Sequence, residues 1–276
     1  MKNISKSFPL MYNNISKNDI NILINFLKKN PKLTAGKKCS TFEKLWSKWL
    51  GVKYSIFVNS GSSANFLTFA ALKNFIKKDK RREIIVPTLT WNSDIVSVIY
   101  NGFIPKFVDI DLKNLSMKID EIQKKINSKT LGIFVTHVQG FNAINQKLLS
   151  LVKRKKLYLI EDVCESHGAK FGKKKCGTFG IASNFSFYYA HHMTTIEGGM
   201  ISTNNKKFYD MCKIMKGHGL VRESDIPKTK KYYLKKYKDL NHEFIFSNIG
   251  FNFRNNEIGG LLGINQLKNL NKNIIL

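Results

Sequence analysis

Several stretches of this sequence carry residue types that can bind an anion, hold a charge or move a proton. His191 and His192 are adjacent in the run Phe185-Ser186-Phe187-Tyr188-Tyr189-Ala190-His191-His192-Met193-Thr194-Thr195-Ile196-Glu197-Gly198-Gly199. An imidazole takes and gives protons near neutral pH, which suits a general base. A His-His pair also suggests a metal, but neighbours in an extended segment point to opposite faces, so no metal site is expected. Asp162 closes the apolar stretch Leu159-Ile160-Glu161 and is followed by Val163-Cys164-Glu165-Ser166-His167-Gly168-Ala169. An acid at the end of an apolar strand is costly to bury without a partner, and the alternative is a helix N-cap. Asn59-Ser60-Gly61-Ser62-Ser63-Ala64 follows an apolar run and opens a helical one. Small residues there let backbone amides approach a phosphate, although a purely structural N-cap has the same look. Trp91, after Pro87-Thr88-Leu89-Thr90, reads in isolation as a core tryptophan.

These residues need elements to position them. Short apolar runs at 54–59, 83–87, 105–108, 131–136, 157–161, 183–188 and 199–203 read as strands, with helical stretches near 63–78, 92–101, 117–127 and 145–155. Alternation of this kind predicts an α/β fold, a mainly parallel sheet between two helical layers. Ligands collect at the carboxyl ends of such strands, where the stretches named above fall. Ahead of the first strand, Ile20, Leu23, Ile24 and Leu27 recur at helical spacing, and Ser40 with Glu43 forms a capping-box pattern before Leu45, Trp46 and Trp49. There is no repeat and no clear domain break.

Composition narrows the function classes. The chain has 276 residues, 43% hydrophobic and 12% aromatic, as in a globular protein. No apolar run is long enough to span a membrane, and Met1-Lys2-Asn3-Ile4-Ser5-Lys6 lacks a signal-type apolar core. Cys39, Cys164, Cys176 and Cys212 lack the spacing of a zinc or disulfide framework, so a reducing cytoplasm is expected. The net charge of +27 invites a nucleic-acid reading, but only Arg81, Arg82, Arg154, Arg222 and Arg254 of the 46 basic residues are arginine. Bidentate phosphate and guanine recognition favours arginine, and the lysines are spread along the chain as a solvated surface. No nucleic-acid or membrane partner is expected.

The run from Ser186 to Gly199 resembles the cofactor-lysine segment of the DegT–StrS type sugar aminotransferases, pyridoxal 5′-phosphate (PLP) enzymes of the aspartate aminotransferase fold. In that family Ser-Phe and three residues precede a lysine, and Glu-Gly-Gly follows; here Ser186-Phe187 sets the register and His191 takes the lysine position. An imidazole cannot form the imine through which a lysine tethers PLP, so the resemblance implies different chemistry on a shared scaffold. It further implies that Gly61, Ser62, Ser63 and Ser186 hold the cofactor phosphate, that Trp91 stacks on the ring and that Asp162 pairs with the pyridinium nitrogen. Glu165 joins these as cofactor-binding. The segments Gly217-His218-Gly219-Leu220-Val221-Arg222 and Gly250-Phe251-Asn252-Phe253-Arg254 resemble family stretches near a dimer interface. There Asn252 would reach the neighbouring subunit's phosphate, in a homodimer with shared sites, and His218 and Arg222 would face substrate.

Within the family, histidine in place of lysine resembles the sugar 3-dehydratases that make 3,6-dideoxyhexoses, a step toward O-antigen sugars. The cysteines are too scattered for an iron–sulfur cluster, which favours the cluster-free type. The resemblance implies a nucleotide-linked 4-keto-6-deoxyhexose of the GDP-4-keto-6-deoxymannose type as substrate and L-glutamate as amino donor, generating pyridoxamine 5′-phosphate (PMP). His191 is implied as the base for loss of the C3 hydroxyl, with ammonia and a 3-deoxy-4-keto sugar as products. A nucleotide-sugar aminotransferase using a relocated lysine among Lys173, Lys174 and Lys175 is one rival, and a non-catalytic PLP-binding or dimerising remnant is another. Family members continue with a smaller C-terminal domain, on the order of a hundred residues. Residues 1–276 are therefore expected to be the PLP-binding large domain with an N-terminal helical segment, the small domain being absent or truncated.

Overall fold

The apolar runs assemble into a seven-stranded sheet of order β1-β9-β8-β5-β4-β2-β3. The strands are β1 Tyr54–Val58, β2 Glu83–Pro87, β3 Ile104–Val108, β4 Thr130–Thr136, β5 Tyr158–Asp162, β8 Ala182–Ser186 and β9 Gly199–Thr203. Two short strands, β6 Lys170–Phe171 and β7 Lys174–Lys175, form a separate hairpin. This computed structural model describes residues 13–275; the N-terminal stretch without a signal-type apolar core, and Leu276, lie outside the described residues. β9 pairs antiparallel with both β1 and β8, whereas the β8-β5-β4-β2-β3 pairings are all parallel. The mainly parallel sheet is thus as expected, with β9 alone reversed.

Two-residue alternation sorts the strand side chains onto opposite faces. Ile56, Val58, Ile84, Val86, Phe134 and Ile160 enter one core with α3 (Gly61–Phe75), α4 (Asn92–Tyr100) and α7 (Lys206–Lys216). Ile85, Ile133, Val135 and Leu159 face the other way, against α5 (Ile119–Lys125) and α6 (Gln146–Lys155). Further along that second face, Phe57, Phe185 and Met200 pack on Phe42 and Trp46 of α2 (Lys37–Leu50). The three-layer α/β/α architecture follows directly. Among the described residues no helix is long and apolar enough to cross a membrane, and the four cysteines are free thiols.

The N-terminal helices depart from the sequence reading in how they begin. Ser40 and Glu43 lie inside α2, whose cap is Gly36. Ser40 donates to Lys37 O at 3.0 Å, and Glu43 accepts the Phe57 amide of β1 at 2.8 Å. The amides at the start of α2 are served by Glu257 instead, which accepts from Gly36, Lys38 and Cys39 at 2.9, 2.9 and 3.0 Å. Glu257 is the first residue of α9 (Glu257–Leu267), so one buried carboxylate lies against two helix N-termini. The true capping box is at α1 (Lys17–Leu27), where Ser16 and Asp19 bond reciprocally. Asp19 also accepts from Asn265 at 2.8 Å and Gln266 at 2.9 Å, tying α1 to α9. Burial alone would raise its carboxyl, but these hydrogen bonds hold it below the usual range. On α9, a Cβ at Gly263 would sit 2.6 Å from the Phe42 ring, so glycine sets the close approach of α2 and α9.

Candidate active site

The strand β5 ends on Asp162, the carboxylate singled out in the sequence. It is 4% exposed and is held from two sides. The Cys164 amide donates to Oδ1 at 2.8 Å and the Asn65 amide to Oδ2 at 2.7 Å, which leaves lone pairs on both oxygens for another donor. It is therefore a strand-end acid and not an N-cap. Cys164 is no nucleophile here, because burial and the Asp162 charge raise its thiol well above the usual range.

Behind Asp162 stands a second acid that the sequence gave little reason to notice. The same Asn65 nitrogen donates to Asp94 Oδ1 at 2.7 Å. Asp94 Oδ2 lies 2.5 Å from Thr90 Oγ1 and 2.8 Å from Thr136 Oγ1, and the two hydroxyls are 2.7 Å apart. Burial, followed by the neighbouring Asp162 charge, raises the Asp94 carboxyl well above its ordinary value. An acid in the first turn of a helix reads from sequence as a complement to the helix dipole, so nothing marks Asp94. Asn65 gives a fainter signal, an amide within the apolar run of α3.

The anion loop lies beside this pair. α3 begins at Gly61, and the Ser60 side chain caps it by accepting the Ser63 amide at 3.0 Å. The Gly61 and Ser62 amides have no acceptor among the described residues, so they are the ones free to bind an anion; the Ser63 amide is taken. A Cβ at Gly61 would lie 2.6 Å from Ser186 Cβ and 3.1 Å from Cys164 Sγ. Only glycine lets the helix start come this close to the end of β8. Ser186 Oγ accepts the Tyr188 amide at 3.2 Å, leaving its own proton to give.

Trp91, at the N-cap of α4, is 69% exposed, so the core reading fails and its ring is open to a ligand. Thr90 and Asp94 anchor its loop at the end of β4 through Thr136. Glu165 accepts the Gln139 amide at 2.9 Å and holds the turn at 138–140. The adjacent Glu161 is structural: it is fully buried, accepts from the amides of Gly177, Phe179 and Gly180, and lies 3.3 Å from His137 Nε2.

Beyond Ser186 the chain does not stay extended. It turns, so His191 and His192 do not take opposite faces of a strand: their ring centroids lie 6.0 and 5.4 Å from that of His167. Among the described residues no group of three or more His, Cys, Asp or Glu is arranged to hold a metal. His167 is 2% exposed, and among the described residues neither ring nitrogen makes a well-formed hydrogen bond, with the Ser186 backbone as a polar neighbour. Burial, then the His191 and His192 rings, drives its pKa well below the usual value. His191 falls to about 4 through burial, opposed by the Asp162 charge and reinforced by His192. Above that pH it is a neutral imidazole, the form a proton acceptor requires.

The other three candidates form a separate group. Asn252 is exposed and pairs through its backbone with Gly217; His218 donates its amide to Phe251 O at 2.9 Å. Arg222 lies 3.2 Å from Glu243 Oε2, with its guanidinium over the Phe244 ring. Among the described residues no hydrogen bond, ion pair or ring contact joins these residues to Asp162 or His191 within this chain. Of the lysine run, Lys175 is engaged elsewhere: its amine donates to the Trp49 carbonyl and lies 4.5 Å over the Trp49 ring.

The DegT/DnrJ/EryC1/StrS aminotransferase family matches residues 13–275. The chain belongs to that family. GDP-4-keto-6-deoxy-D-mannose 3-dehydratase from Escherichia coli O55:H7 is 36% identical over 245 residues, covering 86% of this chain and 61% of its own length. GDP-perosamine synthase from E. coli O157:H7 is 33% identical over 233 residues, covering 84% of this chain and 58% of its own. The chain thus spans about 60% of the length of these two relatives. The structure of an E. coli GDP-4-keto-6-deoxy-D-mannose-3-dehydratase with bound hydrated PLP superposes with a TM-score of 0.87 at 31% identity, over 96% of this chain and 69% of that one. The family's three-layer fold is therefore present here. The donor set also suits the cofactor: amides and a hydroxyl for a phosphate, an open indole for a ring and a buried carboxylate for a ring N–H.

Proposed function

We propose that this chain acts as a PLP-dependent nucleotide-sugar 3-dehydratase, removing the C3 hydroxyl of a 4-keto-6-deoxyhexose of the GDP-4-keto-6-deoxymannose type with L-glutamate as amino donor. The observation that carries the reading is His191, a half-buried neutral imidazole in the turn after β8, placed where the family has its lysine. PLP supplies an electron sink conjugated to the substrate carbons. The Gly61 and Ser62 amides and the Ser186 hydroxyl bind its phosphate, with Ser63 fixing the loop through Ser60. Trp91 covers the ring, and Asp162 accepts the ring N–H. Glu165 holds the 138–140 turn at the rim. His191 takes the proton from the cofactor C4′ carbon and delivers it to the departing C3 oxygen. Because histidine cannot form the imine, the nitrogen leaves as ammonia. In this reading Asn252 serves the site of a second copy, and His218 and Arg222 face substrate.

The test supplies the purified chain with PLP, glutamate and GDP-4-keto-6-deoxymannose and measures ammonia. One equivalent of ammonia per 3-deoxy-4-keto sugar is expected, and His191→Asn should lower the rate by about 10²–10⁴-fold. PLP binding without ammonia in the native chain would favour a non-catalytic remnant. The similarity to GDP-perosamine synthase keeps an aminotransferase as the second reading. Borohydride reduction separates the two: a lysine-linked cofactor adduct supports the aminotransferase and overturns the dehydratase.

A further inference from the structure

Asp94 Oδ2, Thr90 Oγ1 and Thr136 Oγ1 form a triangle with sides of 2.5, 2.7 and 2.8 Å. Each side has the length of an O–H···O hydrogen bond, so each needs a proton. The two threonines supply one apiece. If Asp94 were a carboxylate, one side would set lone pair against lone pair at hydrogen-bond distance. If it is a carboxylic acid, its own proton completes a closed ring of three hydrogen bonds.

The other half of the network agrees. Asn65 Nδ2 has two protons and meets a carboxyl oxygen on either side, Asp94 Oδ1 and Asp162 Oδ2, each at 2.7 Å. Among the described residues Asn65 Oδ1 has no partner, and the two acid contacts of Nδ2 are far shorter than its 3.4 Å approach to Ser93 Oγ, so its two protons go to the acids. Asp94 is fully buried and Asp162 is 4% exposed, and two unscreened anions bridged by one neutral amide would repel strongly. Cys164, on the loop after β5, and His191, beyond β8, are the other titratable groups coupled to this pair. Neither supplies a positive charge: the thiol is held protonated and the imidazole is neutral near pH 7.

We propose that Asp94 stands as a neutral carboxylic acid and acts as a positioning residue: its ring with Thr90 and Thr136 holds Asn65, and Asn65 aims the lone anion, Asp162, at the cofactor's ring nitrogen. This rests on the assignment of Asp162 made above, and it adds a second layer behind that contact. The acid's neutrality keeps a single negative charge at the site, so one cationic ring N–H is balanced by one carboxylate.

Carboxyl ¹³C NMR of the cofactor-free chain reads the protonation directly, with Asp94→Asn and Asp162→Asn assigning the signals. The Asp94 signal should keep its protonated position from about pH 4 to about pH 8, above the ordinary aspartate value of about 3.9. A shift to the carboxylate position in the lower part of that range overturns the proposal. PLP titrations give the second readout. Asp94→Leu should weaken PLP about tenfold, and Asp94→Asn, which can still donate to the threonines and accept from Asn65, should restore it. The Asn variant should also leave the acid limb of PLP affinity within about 0.3 pH unit, because no charge is removed; loss of a neighbouring anion would move it by about one unit or more. Native-like PLP affinity in the Leu variant overturns the positioning role. Absence of PLP binding by the native chain, with Asp94 still protonated, would instead defeat the cofactor reading and leave the proton assignment standing.

Discussion

His191 and Asp94 are both neutral at pH 7 for the same reason, burial, and their opposite charge types give opposite pH signatures. The imidazole falls to about 4, below an unfolded value of about 6.5. Its contribution to stability is thus full above about pH 6.5 and is lost as pH falls toward the folded value. His191→Asn should therefore reduce the acid-side loss of stability, which denaturant unfolding at pH 7 and pH 5 will show; an equal loss in both proteins sinks the assignment. The acid limb of kcat/KM should likewise lie near 4, and a limb at the ordinary histidine value would contradict His191 as the base. For Asp94, raised in the fold, stability is present below the ordinary value of about 3.9 and is lost as pH rises toward the folded value. Asp94→Asn should gain stability relative to the native chain as pH increases through that window; a gap independent of pH would count against a protonated Asp94. Asp162 and Gly61 stood out as candidates in the sequence because a strand end and a helix start announce them, whereas Ser186 and His191 stood out only through the family resemblance. Asp94 and the turn that gathers His191, His192 and His167 did not, since a carboxylate in a first helical turn and a His-His pair each have a commoner local meaning.

Elements were legible where a two-residue or helical period runs uninterrupted, and the seven sheet strands fell close to their expected positions. Their ends were less so. The expected strand at 183–188 stops at Ser186, and α2 begins three residues before its supposed cap at Ser40. The reason is long-range: Glu257, more than two hundred residues away, supplies what a local cap would. Glu257→Gln keeps the shape but removes the charge from two helix N-termini, and it should cost about 2 kcal/mol in denaturant unfolding. A change within error would mean that the three amides do not need an anion. At Gly263 the usual rule reverses. Glycine to alanine in a helix normally stabilises by about 1 kcal/mol, but a methyl 2.6 Å from the Phe42 ring must push α9 off α2. Gly263→Ala should therefore destabilise by about 1–3 kcal/mol, and a gain in stability would show that the interface yields freely.

Across the whole molecule, a formal charge of +27 is carried mostly by dispersed lysines, so the folded state repels itself. Raising salt from about 0.02 M to about 0.3 M should lift the thermal midpoint by roughly 2–5 °C, since screening reaches within a Debye length; an unchanged midpoint would show that the lysines are already balanced. The order of the sheet has a further consequence, in time. β1, which leads into the Gly61 loop, borders only β9 in the sheet, and β9 begins at Gly199. At roughly 5–20 residues per second, the ribosome needs on the order of ten seconds to make the intervening chain. Until then the edge of β1 has no strand partner, and the Gly61 and Ser62 amides have no fixed floor beside Ser186. A nascent chain should accordingly complete the proposed phosphate pocket in one step, as β9 slots between β1 and β8, so capture of the cofactor waits for that strand.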